Sequence, residues 1–236
     1  MLQPLGRVAL AFLPIFLVAC SGKGKDASSD ATVQNGYCGA KTPMLIAAAG
    51  DSTDPVAPVT EEPVDGSTCN AVERSYPPPA SRNHVALCSL VEYDTNPPSG
   101  GDHYPLWPQY RVYDYAIPRE FYVHSLEHGG IVMTYSCDDC GSEVDQAKAI
   151  VADTEPADAC CTAAGCPSGV SNQLVLTPDP GISTRWAASA WEFTLTADCF
   201  EPDVFANFIA EHRDSGVAPE LVCDNSAALD VTKPMN

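Results

Sequence analysis

Apolar residues recur at helical spacing in two segments of the chain. Residues 143–153 place an apolar side chain at every third or fourth position, the interval that puts side chains on one face of a helix. Residues 202–213 show a stronger apolar stripe, and Gly216 follows closely, where glycine commonly ends a helix. The pattern predicts two helices, of which the second is a C-terminal amphipathic helix.

Other segments alternate apolar and polar residues or concentrate β-branched and aromatic side chains, as strands do. The predicted strands lie at residues 84–87, 90–93, 110–117, 131–135, 173–177 and 190–196. Phe121-Tyr122-Val123 is also β-prone, whereas residues 51–67, rich in Pro, Asp, Thr and Glu, predict a loop. Because strands outnumber helices, we expect an α+β fold: a mainly antiparallel sheet with two helices, stapled by disulfides.

The chain begins with a segment typical of an export signal. Arg7 precedes an apolar run that is too short to span a bilayer. Residues 17–20 read Leu-Val-Ala-Cys and resemble the bacterial lipobox, so we expect Cys20 to carry lipid and to hold the chain at the membrane. By the same resemblance, Ser21 after the cysteine favours the outer membrane of the cell envelope, with the protein facing the periplasm or the cell surface.

Composition divides the chain into three parts. Residues 1–19 form the lipoprotein signal peptide, and residues 20–82 form a lipid-anchored tether and an N-terminal extension rich in Pro, Asp and Thr. Residues 83–236 are long enough for a single globular domain with its own core. Within that domain, residues 137–166 are expected to be a cysteine-rich insertion.

The chain is strongly acidic, with a formal net charge of −19 at pH 7. The phosphates of nucleic acid would repel such a chain, so we expect no nucleic-acid partner. The expected contact with a membrane is made through the N-terminal lipid, and the sequence identifies no protein partner.

Ten of the 11 cysteines remain when Cys20 is set aside. An even number behind an export signal predicts disulfides, because exported thiols are normally oxidised. Cys38 and Cys69 are placed to staple the N-terminal extension to the domain. Cys137 and Cys140, followed by three further cysteines up to residue 166, also fit a zinc ribbon or a redox motif, but the turn residues between them favour disulfides.

The segment His-Ser-Leu-Glu-His-Gly-Gly at residues 124–130 concentrates chemistry. It holds two of the 5 histidines, His124 and His128, on either side of Glu127. These three match the H-x-x-E-H pattern of inverted zincin peptidases, in which two histidines bind zinc and the glutamate acts as general base. That mechanism requires a long helix, and Pro118 and the two glycines leave room for one short helix at most, which disfavours a peptidase.

Neutral imidazole binds zinc, copper, nickel and iron. We interpret His103, His124 and His128 as ligands that converge on one transition-metal ion, copper or zinc, with His84 as a fourth ligand. Glu127 would either bind the ion or orient a histidine. An ion with three protein ligands and an open position would also support hydrolysis, with Glu127 as general base.

The same histidines have a purely structural interpretation. Histidines often hydrogen-bond to buried backbone carbonyls, and Glu127 could pair with His128 or Arg119 to order the turn. His212 ends the C-terminal helix, where an imidazolium is favourable, so a structural role is expected for it. Met133 lies within a predicted strand and is expected in the core rather than on copper.

Four blocks of residues follow one another along the domain. They are Asn-Pro-Pro-Ser-Gly-Gly-Asp-His at residues 96–103, Val-His-Ser-Leu-Glu-His-Gly-Gly-Ile-Val at 123–132, Ala-Trp at 190–191, and the closing helix. In this order the blocks resemble the domain of unknown function family DUF3105. The resemblance spans residues 84–222 and implies an exported or membrane-anchored bacterial protein of unknown activity. The chain departs from the family pattern at Asp102, where Pro is common, and at Glu192, where Gly is usual.

Three functions therefore stay open. The first is a non-catalytic, lipid-anchored envelope protein that binds copper or zinc, and the second is a metal-dependent hydrolase with Glu127 as base. The third is a structural or interaction lipoprotein whose histidines only order a loop. Three imidazole nitrogens within about 4 Å of one point, beside an accessible cavity, favour the first function. A helical segment 118–128 with a downstream carboxylate within reach favours the second, and imidazoles that donate to backbone oxygens without a shared centre favour the third.

Overall fold

Both helices expected from the apolar spacing are present in the computed structural model, which describes residue 38, residues 55–156 and residues 171–222. The strands are β1 (Thr60–Pro63), β2 (Val72–Ser75), β3 (Ile131–Tyr135), β4 (Leu174–Pro178), β5 (Trp186–Ala190) and β6 (Phe193–Ala197). The helices are α1 (Arg119–Glu127), α2 (Glu143–Asp153) and α3 (Pro202–His212). Within these described ranges, none of the helices has the length and apolar character needed to span a membrane.

The strands form one six-stranded sheet in the order β1-β2-β6-β5-β3-β4. Strands β3 and β4 are parallel, with Ile131 opposite Leu174, and the other neighbours are antiparallel. The expectation of a mainly antiparallel sheet is therefore wrong, because the sheet is mixed. The cause is the crossover through α2, which carries the chain back so that β4 runs in the same direction as β3.

The expected number of helices is also wrong: the described part of the chain has three, because the β-prone run Phe121-Tyr122-Val123 lies inside α1. All 9 residues of α1 are buried, so contacts on every side outweigh the preference of these side chains for strands. Pro118 precedes the first turn, and Gly129, at φ +85°, follows the last. The helix is short, as these two borders predict.

Predictions for the centre of the sheet are largely confirmed. Residues 131–135 form β3, and β4 is displaced by one residue from the predicted strand 173–177. The predicted single strand 190–196 is wrong, because the chain reverses between β5 and β6 at Trp191 and Glu192. Glu192 has a φ of +68°, a left-handed conformation that favours glycine and is typical of tight hairpin turns.

Predictions for the margins of the sheet are wrong. Residues 84–87 and 110–117 contribute only isolated bridges, and residues 90–93 form no named strand. The segment that pairs with residues 84–87 is interrupted by prolines, which cannot extend a ladder of hydrogen bonds. The predicted loop 51–67 contains β1, whose 4 exposed residues lack the apolar alternation that marks a strand. Through β1 and β2 the sheet extends into the segment before residue 83.

The sheet separates two apolar clusters. One face packs under α2 and α3 with Trp186 and Phe205, and the other packs against α1 and aromatic residues of the segment 93–113. Successive residues of β3 join opposite clusters, Met133 the first and Val132 the second, as the two-residue period of a strand requires. The prediction that Met133 belongs to the core is confirmed.

Three disulfides join cysteines of the described residues. They are Cys38–Cys88, Cys69–Cys199 and Cys137–Cys140. The first two tie the N-terminal extension to the domain, as predicted for its two cysteines, and the third closes a C-x-x-C segment. The export signal at residues 1–19, Cys20, and the cysteines at positions 160, 161, 166 and 223 lie outside the described residues.

A buried ion pair fixes α1 against the sheet. Nε of Arg119 donates to Oδ2 of Asp179, just beyond β4, at 2.8 Å, and the hydroxyl of Tyr122 donates to the same oxygen at 2.9 Å. Both charged side chains are buried, so each needs the other as a partner. The pair sets the rotation of α1 and therefore the direction in which the remaining polar residues of the helix point.

Candidate metal centre

Helix α1 presents two polar side chains of the central motif on one face. His124 and Glu127 are three residues apart, the spacing at which helical side chains become neighbours. Two extended segments supply two more groups, because His84 and His103 form a parallel bridge. The N–H of Val85 donates to the carbonyl of His103 at 2.8 Å, and this clamps the two segments together.

Four side chains converge at this place: His84, His103, His124 and Glu127. One nitrogen or oxygen atom from each lies within 4.8 Å of the other three. Four atoms so close share a central point about 3 Å from each, and an inward shift of about 1 Å would give the bond lengths of a bound zinc ion. His103, His124 and Glu127 are buried, whereas His84 is exposed and opens the cluster to solvent.

Backbone carbonyls fix the tautomer of the buried histidines. Nδ1 of His103 donates to the carbonyl of Gly101 at 2.8 Å, and Nδ1 of His124 donates to that of Tyr104 at 2.7 Å. A carbonyl oxygen can only accept, so in both rings Nδ1 carries the hydrogen. In the neutral rings Nε2 is left as a lone pair, and a backbone partner of this kind commonly orients histidine ligands of metals.

Glu127 is held by one oxygen and leaves the other for the cluster. Nη1 of Arg82 donates to Oε1 of Glu127 at 2.8 Å, while Oε2 lies 3.0 Å from Nε2 of His103. The His103 ring is turned so that Nε2 has no hydrogen-bond partner among the described residues, in spite of this short distance. The pairing of Glu127 with Arg119 or His128 belongs to the purely structural interpretation. In the structure Arg119 pairs with Asp179, and His128 donates to the carbonyl of Glu220.

The protonation states are those of metal ligands. Burial, with the neighbouring His103 and His128, lowers the pKa of His124 to about 3. Burial also lowers the pKa of His128. Burial alone would raise the pKa of Glu127, but contacts with His103 and Arg82 outweigh it and hold that pKa at about 2. At neutral pH His124 is therefore neutral and Glu127 is ionised, as metal binding requires.

His128 lies beside the cluster rather than in it. Its ring centroid is 4.6 Å from that of His124 and 4.7 Å from that of Trp107. Nδ1 of His128 donates to the carbonyl of Glu220 at 3.0 Å, and its Nε2 has no hydrogen-bond partner within the described ranges. The structure therefore brings three of the four predicted histidine ligands together, His84, His103 and His124, and leaves His128 outside the group.

The loop that carries His103 depends on two glycines. Gly101 has a φ of +125°, and a Cβ atom there would approach the ring of Tyr93 to 3.3 Å. At Gly100, with a φ of +152°, a Cβ atom would lie 3.2 Å from Cγ of Pro79, so a side chain there would strain the backbone and displace its neighbour. The sharp turn of the loop brings the carbonyl of Gly101 within reach of the His103 ring.

Asp102 ties this loop to the segment of His84. Its Oδ1 accepts hydrogen bonds from the hydroxyl of Ser81 and from the backbone N–H of Asn83, the latter at 2.7 Å. Sequence reasoning missed this role, and it missed Arg82 as well. Neither residue repeats at a spacing typical of metal ligands, so no sequence signal distinguished them.

The fifth histidine takes no part in the cluster. Nε2 of His212, at the end of α3, lies 2.8 Å from Oε1 of Glu73 on β2. Its ring stacks on Phe193 with centroids 4.2 Å apart. The contacts tie α3 to the sheet, which is the kind of structural role predicted for this residue.

Comparison with known proteins identifies one family. A family model described as "Protein of unknown function (DUF3105)" matches residues 84–225. That span begins at His84 and contains all four residues of the cluster. No curated protein and no solved structure matches the chain.

Proposed function

Because this chain belongs to the DUF3105 family, whose description assigns no activity, we propose its function from the site: it binds one transition-metal ion, zinc or copper, through His84, His103, His124 and Glu127. The observation that carries the proposal is the pair formed by Nε2 of His103 and Oε2 of Glu127, 3.0 Å apart. Two ligands of one ion stand side by side at about this distance, each directed at the ion rather than at the other.

Without an ion, this pair is unfavourable whenever the His103 ring is neutral. With the hydrogen of His103 on Nδ1, Nε2 is an acceptor that faces a carboxylate oxygen, which is also an acceptor. A buried contact between two acceptors is repulsive, and a cation between them turns it into attraction. A protonated His103 would instead form an ion pair with Glu127, the contact that helps to hold the pKa of this carboxylate at about 2, so the ion and the proton compete for the same place.

The donor set favours divalent ions. Three imidazole nitrogens and one carboxylate oxygen suit four-coordinate Zn²⁺ or tetragonal Cu²⁺. Cu⁺ prefers thiolate or thioether ligands, and the described cluster has none, since Met133 lies in the core. We therefore propose Zn²⁺ or Cu²⁺ and a role in metal holding or metal handling rather than electron transfer.

The hydrolase alternative fits the site less well. A general base works best with a pKa near the working pH, and the pKa of Glu127 is held at about 2. Arg82 already occupies one oxygen of this carboxylate, and the other faces His103. Residues 119–127 are helical, as the hydrolase alternative expects, but His128, the second histidine of the motif, lies beyond the end of α1 and outside the cluster.

The place of action proposed for the protein is the cell envelope. The sequence Leu-Val-Ala-Cys at residues 17–20 supports lipid attachment at Cys20, with outer-membrane retention favoured by Ser21. Labelling with a radioactive fatty acid tests this step directly. We expect label on the wild-type chain and none on Cys20→Ser. A wild-type chain that carries no label would contradict the proposal.

Metal content tests the central proposal. A soluble form that begins at Ser21 is stripped with a chelator, loaded separately with Zn²⁺ or Cu²⁺ and measured by elemental analysis. We expect one ion per chain, with micromolar or tighter affinity for at least one of the two metals. His84→Ala is the sharpest variant, because His84 is exposed and its loss leaves the core intact. We expect its affinity to fall at least about tenfold.

A matched control separates ligation from general effects on the fold. His212→Gln removes a histidine that is paired with Glu73 and is not part of the cluster, so the metal affinity should not change. Loss of the ion in this variant would place it on Glu73, Glu211 and His212 instead and overturn the proposal. A wild-type protein that takes up neither metal, or a His84→Ala variant that binds as tightly as wild type, would overturn the proposal.

A further inference from the structure

A second group of reactive side chains lies just beyond the C-terminal end of β3. The strand ends at Tyr135, Cys137 and Cys140 form a disulfide, and α2 begins at Glu143. The chain then returns through β4, parallel to β3. The disulfide therefore occupies the strand-to-helix turn of a β–α–β unit, the setting in which C-x-x-C segments carry out thiol–disulfide exchange.

We propose that the Cys137–Cys140 disulfide is a redox-active site that accepts two electrons from a dithiol of another exported protein. This exchange would be a second activity of the protein, independent of metal binding at the histidine cluster. The two sites share no residue, since the cluster is made of His84, His103, His124 and Glu127, whereas Cys137 and Cys140 follow β3.

The two sulfurs differ in the way that exchange requires. Cys137 is partly exposed and is followed by two exposed residues, Asp138 and Asp139. Cys140 is buried in the apolar cluster under α2. An incoming thiolate can therefore reach Cys137, while Cys140 is protected and serves as the leaving sulfur.

The turn does not depend on the disulfide for its shape. The N–H of Gly141 donates to the carboxylate of Asp139 at 2.9 Å, and the N–H of Glu143 donates to the carbonyl of Cys140 at 3.1 Å. The loop closed by this disulfide is also the shortest of the three described, with a sequence separation of 3 against 50 and 130. A bond that constrains the unfolded chain so little is the one that can open and close with least effect on the fold.

Neighbouring groups form a fixed polar frame around the pair. One carboxylate oxygen of Glu143 lies within 4.8 Å of both sulfurs. That carboxylate accepts hydrogen bonds from the indole of Trp186 and from Nε of Arg185, each at 2.9 Å. Nη2 of Arg185 also donates to the carbonyl of Asp139 at 3.2 Å, so one cation links both sides of the C-x-x-C turn. The frame can hold the helix start in place while the sulfur–sulfur bond is open.

The exchange proceeds in two balanced steps. A thiolate of the partner attacks the sulfur of Cys137, the Cys137–Cys140 bond breaks, and Cys140 leaves as a thiolate that takes a proton from water. The second thiolate of the partner then attacks the partner's own sulfur in the mixed disulfide and releases Cys137, which is protonated in turn. The partner loses two electrons and becomes a disulfide, and this protein gains them and becomes a dithiol.

The test uses the mature wild-type chain in glutathione buffers of graded composition, with alkylation and mass mapping of each cysteine. We expect Cys137 and Cys140 to become reduced together under conditions in which Cys38–Cys88 and Cys69–Cys199 remain closed. Those two disulfides are internal controls for unfolding, because global loss of structure would open all three. Reduction of all three together, or resistance of Cys137–Cys140 while a control opens, would overturn the proposal.

Single variants test the direction of attack. The probe is an oxidised peptide, two short chains joined by one disulfide, because each variant keeps a single thiol at this turn. The thiolate of Cys137 in Cys140→Ser attacks the peptide disulfide, forms a mixed disulfide and releases one peptide chain as a thiol. We expect this mixed disulfide to accumulate at least tenfold faster than the one at Cys140 in Cys137→Ser. Equal trapping would contradict a site in which only one sulfur is reachable. Cys137, Cys140 and Glu143 could also hold a metal ion in the reduced protein. If reduced wild-type protein binds Zn²⁺ through these residues and does not exchange with the peptide, the site is a metal site and the redox role is overturned.

The outcome is separable from that of the metal proposal. The exchange assay is repeated on His84→Ala, which changes the histidine cluster and leaves the C-x-x-C turn untouched. Unchanged exchange in a variant with weakened metal binding is the expected result. Exchange that disappears with His84 would contradict the independence of the two sites.

Discussion

At the scale of single residues, Glu120 is the carboxyl group whose surroundings suit its charge least. It lies in α1 and is fully buried. Its Oε1 accepts a hydrogen bond from the N–H of Val91 at 3.2 Å, and its Oε2 has no partner among the described residues. Burial raises the pKa of Glu120 to about 7 from an ordinary value of 4.5. The folded protein therefore keeps a proton that the unfolded chain releases in this range.

This raised pKa predicts a loss of stability as the pH rises. The contribution of protonated Glu120 to the free energy of unfolding is fully present below pH 4.5 and is lost as the pH rises through about 7. The change amounts to about 3 kcal/mol. Glu120→Gln should remove it and flatten the profile, as measured by urea unfolding at pH 5 and pH 8. The exposed control Glu62→Gln should keep the slope, and a steep profile in Glu120→Gln would contradict this assignment.

Two histidines of one motif should behave differently. His103→Gln removes a ligand of the proposed ion, so Zn²⁺ or Cu²⁺ affinity should fall at least about 100-fold in a competition titration. His128→Gln removes a ring that lies beside the cluster, and the affinity should change by less than about tenfold. Circular dichroism confirms that both variants are folded. A larger loss of metal affinity from His128→Gln than from His103→Gln would contradict this assignment, because it would place the ion beside His128.

Residue types and their spacing in the sequence were enough to predict most residues of the histidine cluster. His103, His124 and Glu127 stand out because histidine is rare in this chain and because the motif is dense. Arg82 was missed, since its role depends on a fold that brings it 2.8 Å from a carboxylate 45 positions away. The position of His128 was also beyond sequence reasoning, because it depends on where α1 ends.

At the scale of elements, α1 shows where local pattern and tertiary structure disagree. Phe121-Tyr122-Val123 favours a strand by intrinsic preference, and the borders at Pro118 and Gly129 permit a helix. Burial of the whole segment decides the outcome, and burial on all sides leaves no alternating pattern to read. By contrast, α2 and α3 each keep a solvent face, so their apolar stripes were visible in the sequence.

The hairpin between β5 and β6 places Glu192 in a backbone conformation that favours glycine. Glu192 adopts a φ of +68°, which costs a residue with a Cβ atom about 1 kcal/mol or more. We expect Glu192→Gly to be more stable than Glu192→Ala by about 1 kcal/mol, measured by chemical denaturation. The comparison with Ala isolates the backbone effect, because both variants lose the carboxylate. Equal stability of the two variants would contradict a strained backbone at this turn.

At the scale of the whole molecule, the proposed ion would connect parts of the chain that the sheet leaves separate. His84 and His103 lie on irregular segments stapled by one bridge, whereas His124 and Glu127 lie on α1. Ligation from both would restrain those segments against the helix. The irregular segments supply no sheet hydrogen bonds of their own beyond isolated bridges, so their order depends strongly on such cross-links.

Metal removal should therefore lower thermal stability. An ion that binds only the folded chain adds about 4 kcal/mol at a free concentration roughly 1,000 times Kd. We expect a chelator to lower the melting temperature of the wild type and to leave that of His103→Gln unchanged, as measured by calorimetry. An equal effect of the chelator on both proteins would show that the stabilising ion binds elsewhere.

The edge of the sheet at β1 affects how copies of this protein associate at high concentration. Its sequence, Thr-Glu-Glu-Pro, is exposed at all 4 positions, with two negative charges and a proline that donates no hydrogen bond. The opposite edge, β4, is capped by the segment around Val112, which bonds to Leu176 on both sides. When copies of this protein meet at high concentration, they would repel at one edge and find the middle of the other edge occupied at Leu176. The fold thus resists the strand-to-strand polymerisation that open sheets invite.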